Sequence, residues 1–126
     1  MKKIATMAAA LMLMMALSTG AAFAALVEGN NNGNTLFGTP RADTIKAYGG
    51  EDLVLALKGN DRINGGKGQD RLDGGYGDDH IVSRDLNSRG IGQRDVVNCG
   101  PGHDTFAADY EDRVLDNCEE GSVSGS

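Results

Sequence analysis

The sequence predicts an all-β chain built as a stack of nine-residue repeats. Three columns of residues lead there. Aspartate recurs every nine positions at Asp43, Asp52, Asp61, Asp70 and Asp79, with Asn34 opening the series. A large apolar residue follows each by two, at Leu36, Ile45, Val54, Ile63, Leu72 and Ile81. Glycine precedes the later aspartates by two, at Gly50, Gly59, Gly68 and Gly77, with Arg41 and Asn32 in the earlier units. A disordered linker has no cause to keep three columns in one register. A repeat in which each unit supplies one core residue does.

The elements follow in order. Residues 1–24 read as a removable export signal. Lys2 and Lys3 precede a short apolar run, and Ala22-Phe23-Ala24 ends it with small residues at the exit. The run is shorter than the ~20 residues of a membrane span, so no span is expected in the mature chain. From 25 to 118 the repeats form one domain. Its best units are Gly65–Asp73, GGKGQDRLD, and Gly74–Val82, GGYGDDHIV, each of the form G-G-x-G-x-D-x-U-x with U apolar. The glycine-rich half reverses the chain, because glycine accepts the positive φ that other residues resist. The x-U-x half is a very short strand with its one apolar side chain inward.

The register breaks at an inserted polar loop, 83–89. It resumes with Asp95 and Val97, then Asp104 and Phe106, with Gly100 and Gly102 before the second aspartate. A degenerate unit, Asp112 with Val114, comes one residue early. The Gly/Ser/Glu-rich segment 119–126 reads as a flexible tail.

Units Gly65–Val82 resemble the hemolysin-type, or RTX, calcium-binding nonapeptide repeat at every marked position, and the resemblance covers roughly 29–115. It implies a right-handed parallel β-roll with two nonapeptides per turn and several Ca2+ ions between stacked loops. The implied ligands are sixth-position carboxylates and backbone carbonyls of the glycine-rich positions. Carried onto this chain, the metal-site residues are Asp43, Asp52, Asp61, Asp70, Asp79, Asp95 and Asp104. With them go Gly50, Gly59, Gly65, Gly66, Gly68, Gly74, Gly75, Gly77, Gly100 and Gly102. Asn34, Asp52, Asp70, Asp95 and Asp112 fall on one side of the roll, and Asp43, Asp61, Asp79 and Asp104 on the other. The best sites are implied between the loops of Asp52 and Asp70 and between those of Asp61 and Asp79. Two units depart from the pattern, with Pro40-Arg41 in one and Gln93 in the other. The run from Cys99 to Asp104, with Cys118-Glu119 after it, is similar to the end of small secreted bacterial members.

Two cysteines in an exported chain predict one bridge, Cys99 to Cys118, over the alternative of two free thiols. Without Lys2 and Lys3 the chain holds ten basic residues against eighteen acidic ones, a formal charge of −8. That balance excludes nucleic acid, which needs a basic face, and favours cations. His80 and His103 have no Cys or His partner at ligand spacing and read as surface residues. Tyr48 and Tyr76 read as turn-packing residues. Neither H-E-x-x-H nor G-x-S-x-G occurs, and the period accounts for nearly every repeat aspartate. The chain is therefore expected not to be an enzyme. The expected function is a secreted, extracellular calcium-binding β-roll that folds on binding calcium, in a structural or interaction role. A polysaccharide-active β-helix enzyme and a cell-envelope adhesin module are the alternatives. A cell-surface polymer or protein partner is left open.

Overall fold

The computed structural model describes residues 25–84 and 93–123. The export signal expected at 1–24 and positions 85–89 of the inserted loop lie outside the described residues.

Eleven short strands follow one another: β1 Leu26–Asn30, β2 Thr35–Phe37, β3 Thr44–Tyr48, β4 Leu53–Leu55, β5 Arg62–Asn64, β6 Arg71–Asp73, β7 His80–Val82, β8 Val96–Asn98, β9 Thr105–Ala108, β10 Arg113–Val114 and β11 Glu120–Val123. Odd strands pair in parallel as β1-β3-β5-β7-β9-β11, and even strands as β10-β8-β6-β4-β2. Two strands therefore make one turn, and the described chain is an all-β solenoid of about five turns with no helix, a parallel β-roll.

The register is that of the apolar column. Val27, Ile45, Ile63, Ile81 and Phe106 align across one sheet. Leu36, Val54, Leu72, Val97 and Val114 align across the other. A three-residue strand alternates outward, inward, outward, so one side chain per unit enters the core. Ile45, Val54, Ile81 and Val97 are fully buried, and Leu36, Ile63 and Leu72 nearly so. Ala25, Ala47, Ala56 and Cys99 complete the cluster.

The roll is longer than the repeat columns indicated, at both ends. β1 adds a strand before the Asn34 unit. Val27 lies nine residues before Leu36, but Ala25 stands where an aspartate would be. At the other end Glu120–Val123, read from the sequence as tail, pair with Thr105–Ala108 as edge strand β11. Ser83, read as part of the inserted loop, is still in the ladder: it is buried and its N–H bonds the Ala107 carbonyl at 2.9 Å. Cys99 and Cys118 form a disulfide. Chain-entropy arguments assign a closed loop of this size about 3 kcal/mol, and the bridge ties the last turn to the wall of the core. No helix among the described residues is long and apolar enough to cross a membrane.

Candidate metal centre

The loops stack as the strands do. Asp43, Asp61, Asp79 and Asp104 each immediately precede an odd strand from β3 to β9. Asp52, Asp70, Asp95 and Asp112 each precede an even strand from β4 to β10. The resemblance divided the carboxylates in this way, and the structure brings each set into one column.

Within a column the carboxylates are linked through the backbone. Asp61 Oδ1 accepts the Asp43 N–H at 2.8 Å, Asp79 Oδ1 accepts the Asp61 N–H at 2.9 Å, and Asp104 Oδ1 accepts the Asp79 N–H at 2.8 Å. The other column repeats the link from Asn34 through Asp52, Asp70 and Asp95 to Asp112. Each aspartate thus receives an N–H from the turn before it and passes its own to the turn after. Glu119 closes the first column, with Oε2 at 3.1 Å from the Asp104 nitrogen. The nine-residue step does not reach Glu119, which stands fifteen residues after Asp104.

That bond uses one carboxylate oxygen. In Asp52, Asp61, Asp79 and Asp104 the second oxygen, Oδ2, is buried with no hydrogen-bond partner. A native interior seldom leaves a carboxylate oxygen in this condition unless an ion or water serves it. The surroundings are backbone oxygens. A Cβ placed on Gly75 would overlap the Leu57 carbonyl, and one on Gly77 the Gly59 carbonyl. Gly66 and Gly68 stand in the same relation to Tyr48 and Gly50, and Gly100 and Gly102 to Gly75 and Gly77. A Cβ on Gly65 or Gly74 would instead come within 3.0 Å of Asp70 Oδ2 or 2.6 Å of Asp79 Oδ2. Missing side chains thus let carbonyls of one loop lie over the next. Gly50 and Gly59 have φ of 92° and 103° and approach the preceding loops at Asn32 and Arg41. Among the described residues no three His, Cys, Asp or Glu side chains converge as a metal cluster. Any cation held here would take paired carboxylates and main-chain carbonyls, a hard all-oxygen set that suits calcium.

The electrostatics agree. Burial pushes the Asp52 carboxyl up to about 6, the Asp61 carboxyl to about 7 and the Asp79 carboxyl to about 8. Repulsion adds to the shift, from Asp43 on Asp61 and from Asp61 and Asp104 on Asp79. Burial raises Asp104 as well. Desolvation without a positive partner disfavours the anion, so each site favours a proton or a cation.

Asp43, carried over as a metal residue, is differently placed. Its Oδ2 accepts the Thr39 N–H at 2.6 Å, and its Oδ1 accepts the Thr39 hydroxyl at 2.8 Å and the Ala25 N–H at 3.2 Å. The histidines stay outside the carboxylate columns. His80 Nδ1 meets Thr105 Oγ1 at 2.7 Å, and exposed His103 lies 3.3 Å from Glu119. Tyr48 does more than pack a turn: with Leu57 it holds a positive φ, 69° and 75°, at a position where the repeat prefers glycine. Tyr76 is well exposed.

The RTX calcium-binding nonapeptide repeat matches residues 28–62 and 56–87, with four copies in the repeat unit compared. No curated protein and no solved structure matches the chain. The matched residues run from β1 through the paired best units and past β7, so the stacked loops described above fall largely within them. The chain carries the RTX calcium-binding nonapeptide repeat across residues 28–87.

Proposed function

We propose that this protein is an exported calcium-binding β-roll whose fold is completed by extracellular calcium, with a structural or interaction role. The ions lie between stacked loops, held by Asp52, Asp61, Asp70, Asp79, Asp95 and Asp104 and by carbonyls of the glycine-rich loops. The observation that carries the proposal is the buried Oδ2 of Asp61 and Asp79 beside loops whose glycines admit carbonyl oxygens. One inward apolar side chain per unit is a small hydrophobic contribution for nine ordered residues. A chain of charge −8 needs a further source of order, and cations between like-charged loops supply it. The disulfide fits an oxidising compartment outside the cytosol, where calcium is plentiful enough for sites of ~10⁻⁴–10⁻³ M affinity. Far-UV circular dichroism tests the proposal. A disordered spectrum in chelator should turn cooperatively into a β spectrum with millimolar calcium. Magnesium should not replace it, because that ion demands tighter octahedral geometry and keeps its water. Identical spectra in chelator and calcium would refute coupled folding.

Acid should stand in for part of the metal. The folded carboxyls of Asp52, Asp61 and Asp79 lie above their ordinary value of 3.8, near 6, 7 and 8. Between those limits the folded chain binds protons that the unfolded chain has released, so metal-free stability falls as pH rises. The contribution is complete below pH 3.8 and gone above about 8. In chelator, β signal should therefore be greater near pH 4 than at pH 8. With calcium present the order reverses, because protons compete for the same oxygens, and the calcium midpoint should fall as pH rises from 6 to 8. A midpoint independent of pH across that range would contradict the buried-carboxylate site.

A further inference from the structure

We infer that loop 38–43 is a metal-free cap, in which Thr39 does for Asp43 what a cation does for the aspartates of later turns. The inference rests on the calcium reading above and sharpens it, because the repeat register alone counts Asp43 among the ligands.

Three features separate this loop from those stacked after it. The first is the carboxylate. Both Asp43 oxygens are occupied, Oδ2 by the Thr39 N–H and Oδ1 by the Thr39 hydroxyl and the Ala25 N–H. Asp61, Asp79 and Asp104, below it in the same column, each keep Oδ2 without a hydrogen-bond partner.

The second is the loop path. At the second loop position Leu57, Gly75 and Gly100 have φ of 75°, 72° and 77°. At the fourth, Gly59, Gly77 and Gly102 have φ of 103°, 106° and 126°. Thr39 and Arg41 hold those two positions in the cap and are not among the positive-φ residues. A β-branched residue strongly resists the left-handed region. The Thr39 peptide therefore runs differently and its N–H turns onto the carboxylate.

The third is position in the stack. Asp43 belongs to the second turn, and the turn before it offers Ala25 at the aspartate position, with no carboxylate to share an ion. An ion above Asp43 would have one carboxylate where later sites have two. Hydrogen bonds to a charged acceptor are stronger than those between neutral groups, so two from a single residue stabilise the buried anion without metal. Asp112 ends the other column alike: its Oδ2 accepts the Ser83 hydroxyl at 2.7 Å and the Asp109 N–H at 2.8 Å.

Native mass spectrometry of the full mature chain in saturating calcium, with calorimetric midpoints, tests the inference. Asp43→Asn should bind as many ions as the wild type with a midpoint within about twofold, whereas Asp61→Asn should lose at least one ion. Loss of an ion in Asp43→Asn would overturn the cap and leave the calcium reading intact. A wild type that binds no calcium would overturn both. If Asp43→Asn does not fold, the double substitution Thr39→Gly, Arg41→Gly decides. It restores the full glycine pattern and should gain one ion, and an unchanged count would show that Thr39 and Arg41 are not what excludes it.

Discussion

Replacing Asp79 by alanine is expected to raise the calcium needed for half-maximal folding by roughly 10- to 100-fold. Two losses coincide. The Asp61 N–H, buried 2.9 Å from Asp79 Oδ1, is left without its acceptor, and a carboxylate hydrogen bond is worth ~1.5–3 kcal/mol. At about 1.4 kcal/mol per tenfold, that bond alone accounts for the range given. The proposed ion also loses a charged ligand, and Asp79, standing between the loops of Asp61 and Asp104, borders two inter-loop spaces. Asp116→Ala is the control, since Asp116 is exposed and outside the columns. Its removal changes net charge equally and should move the midpoint less than about twofold, as expected for a screened surface charge. Equal shifts for the two variants, read by circular dichroism during calcium titration, would mean that diffuse negative charge and not an ordered loop holds the ions.

Gly77→Ala should be nearly as damaging without changing any charge. Gly77 has φ of 106°, and its Cβ would overlap the carbonyl oxygen of Gly59 in the loop above. The backbone conformation alone costs ~1–3 kcal/mol in a residue with a side chain. The displaced carbonyl belongs to the set facing the proposed ion, so the loss should appear in calcium affinity as well as in thermal midpoint. Gly49→Ala provides the comparison. Gly49 has no positive φ, and the nearest atom to its Cβ would be Asn31 Oδ1 at 3.0 Å, the end of an exposed side chain that can move. A calcium midpoint for Gly77→Ala no higher than that for Gly49→Ala would sink the carbonyl cradle.

Most of the architecture was legible because it repeats. One apolar residue every nine positions fixed the strands from β2 to β9, their alternation between two sheets and the two carboxylate columns. The ends were harder because the markers change there. Ala25 takes the aspartate position before β1, and Glu119 takes it before β11 with a shorter spacing, so the columns stop while the strand pairing continues. The site was legible as a set of residues but not as a hydrogen-bond pattern. A carboxylate that accepts the N–H of the aspartate eighteen residues earlier is a contact between turns, and no window along the sequence contains it. Nor does the motif show which aspartates are already satisfied. Thr39 sits in a glycine position, and only the path of its N–H reveals that Asp43 is closed. Tyr48 and Leu57 are the converse: the sequence puts bulky residues where glycine is preferred, and the stacked loops still impose a positive φ on them.

The passing of one N–H from turn to turn has a consequence for how the molecule responds as a whole. Strand pairing joins each turn only to the turns beside it, so on the proposed reading order would spread as along a row of dominoes, with the next unfilled loop as the growing end. An ion seated between two loops, as proposed, would align the carboxylate that begins the following step. The expected response to rising calcium is then a threshold whose sharpness increases with the number of linked turns. Shortening the roll from within, by deleting one eighteen-residue turn in register, should blunt that threshold before it weakens any single site.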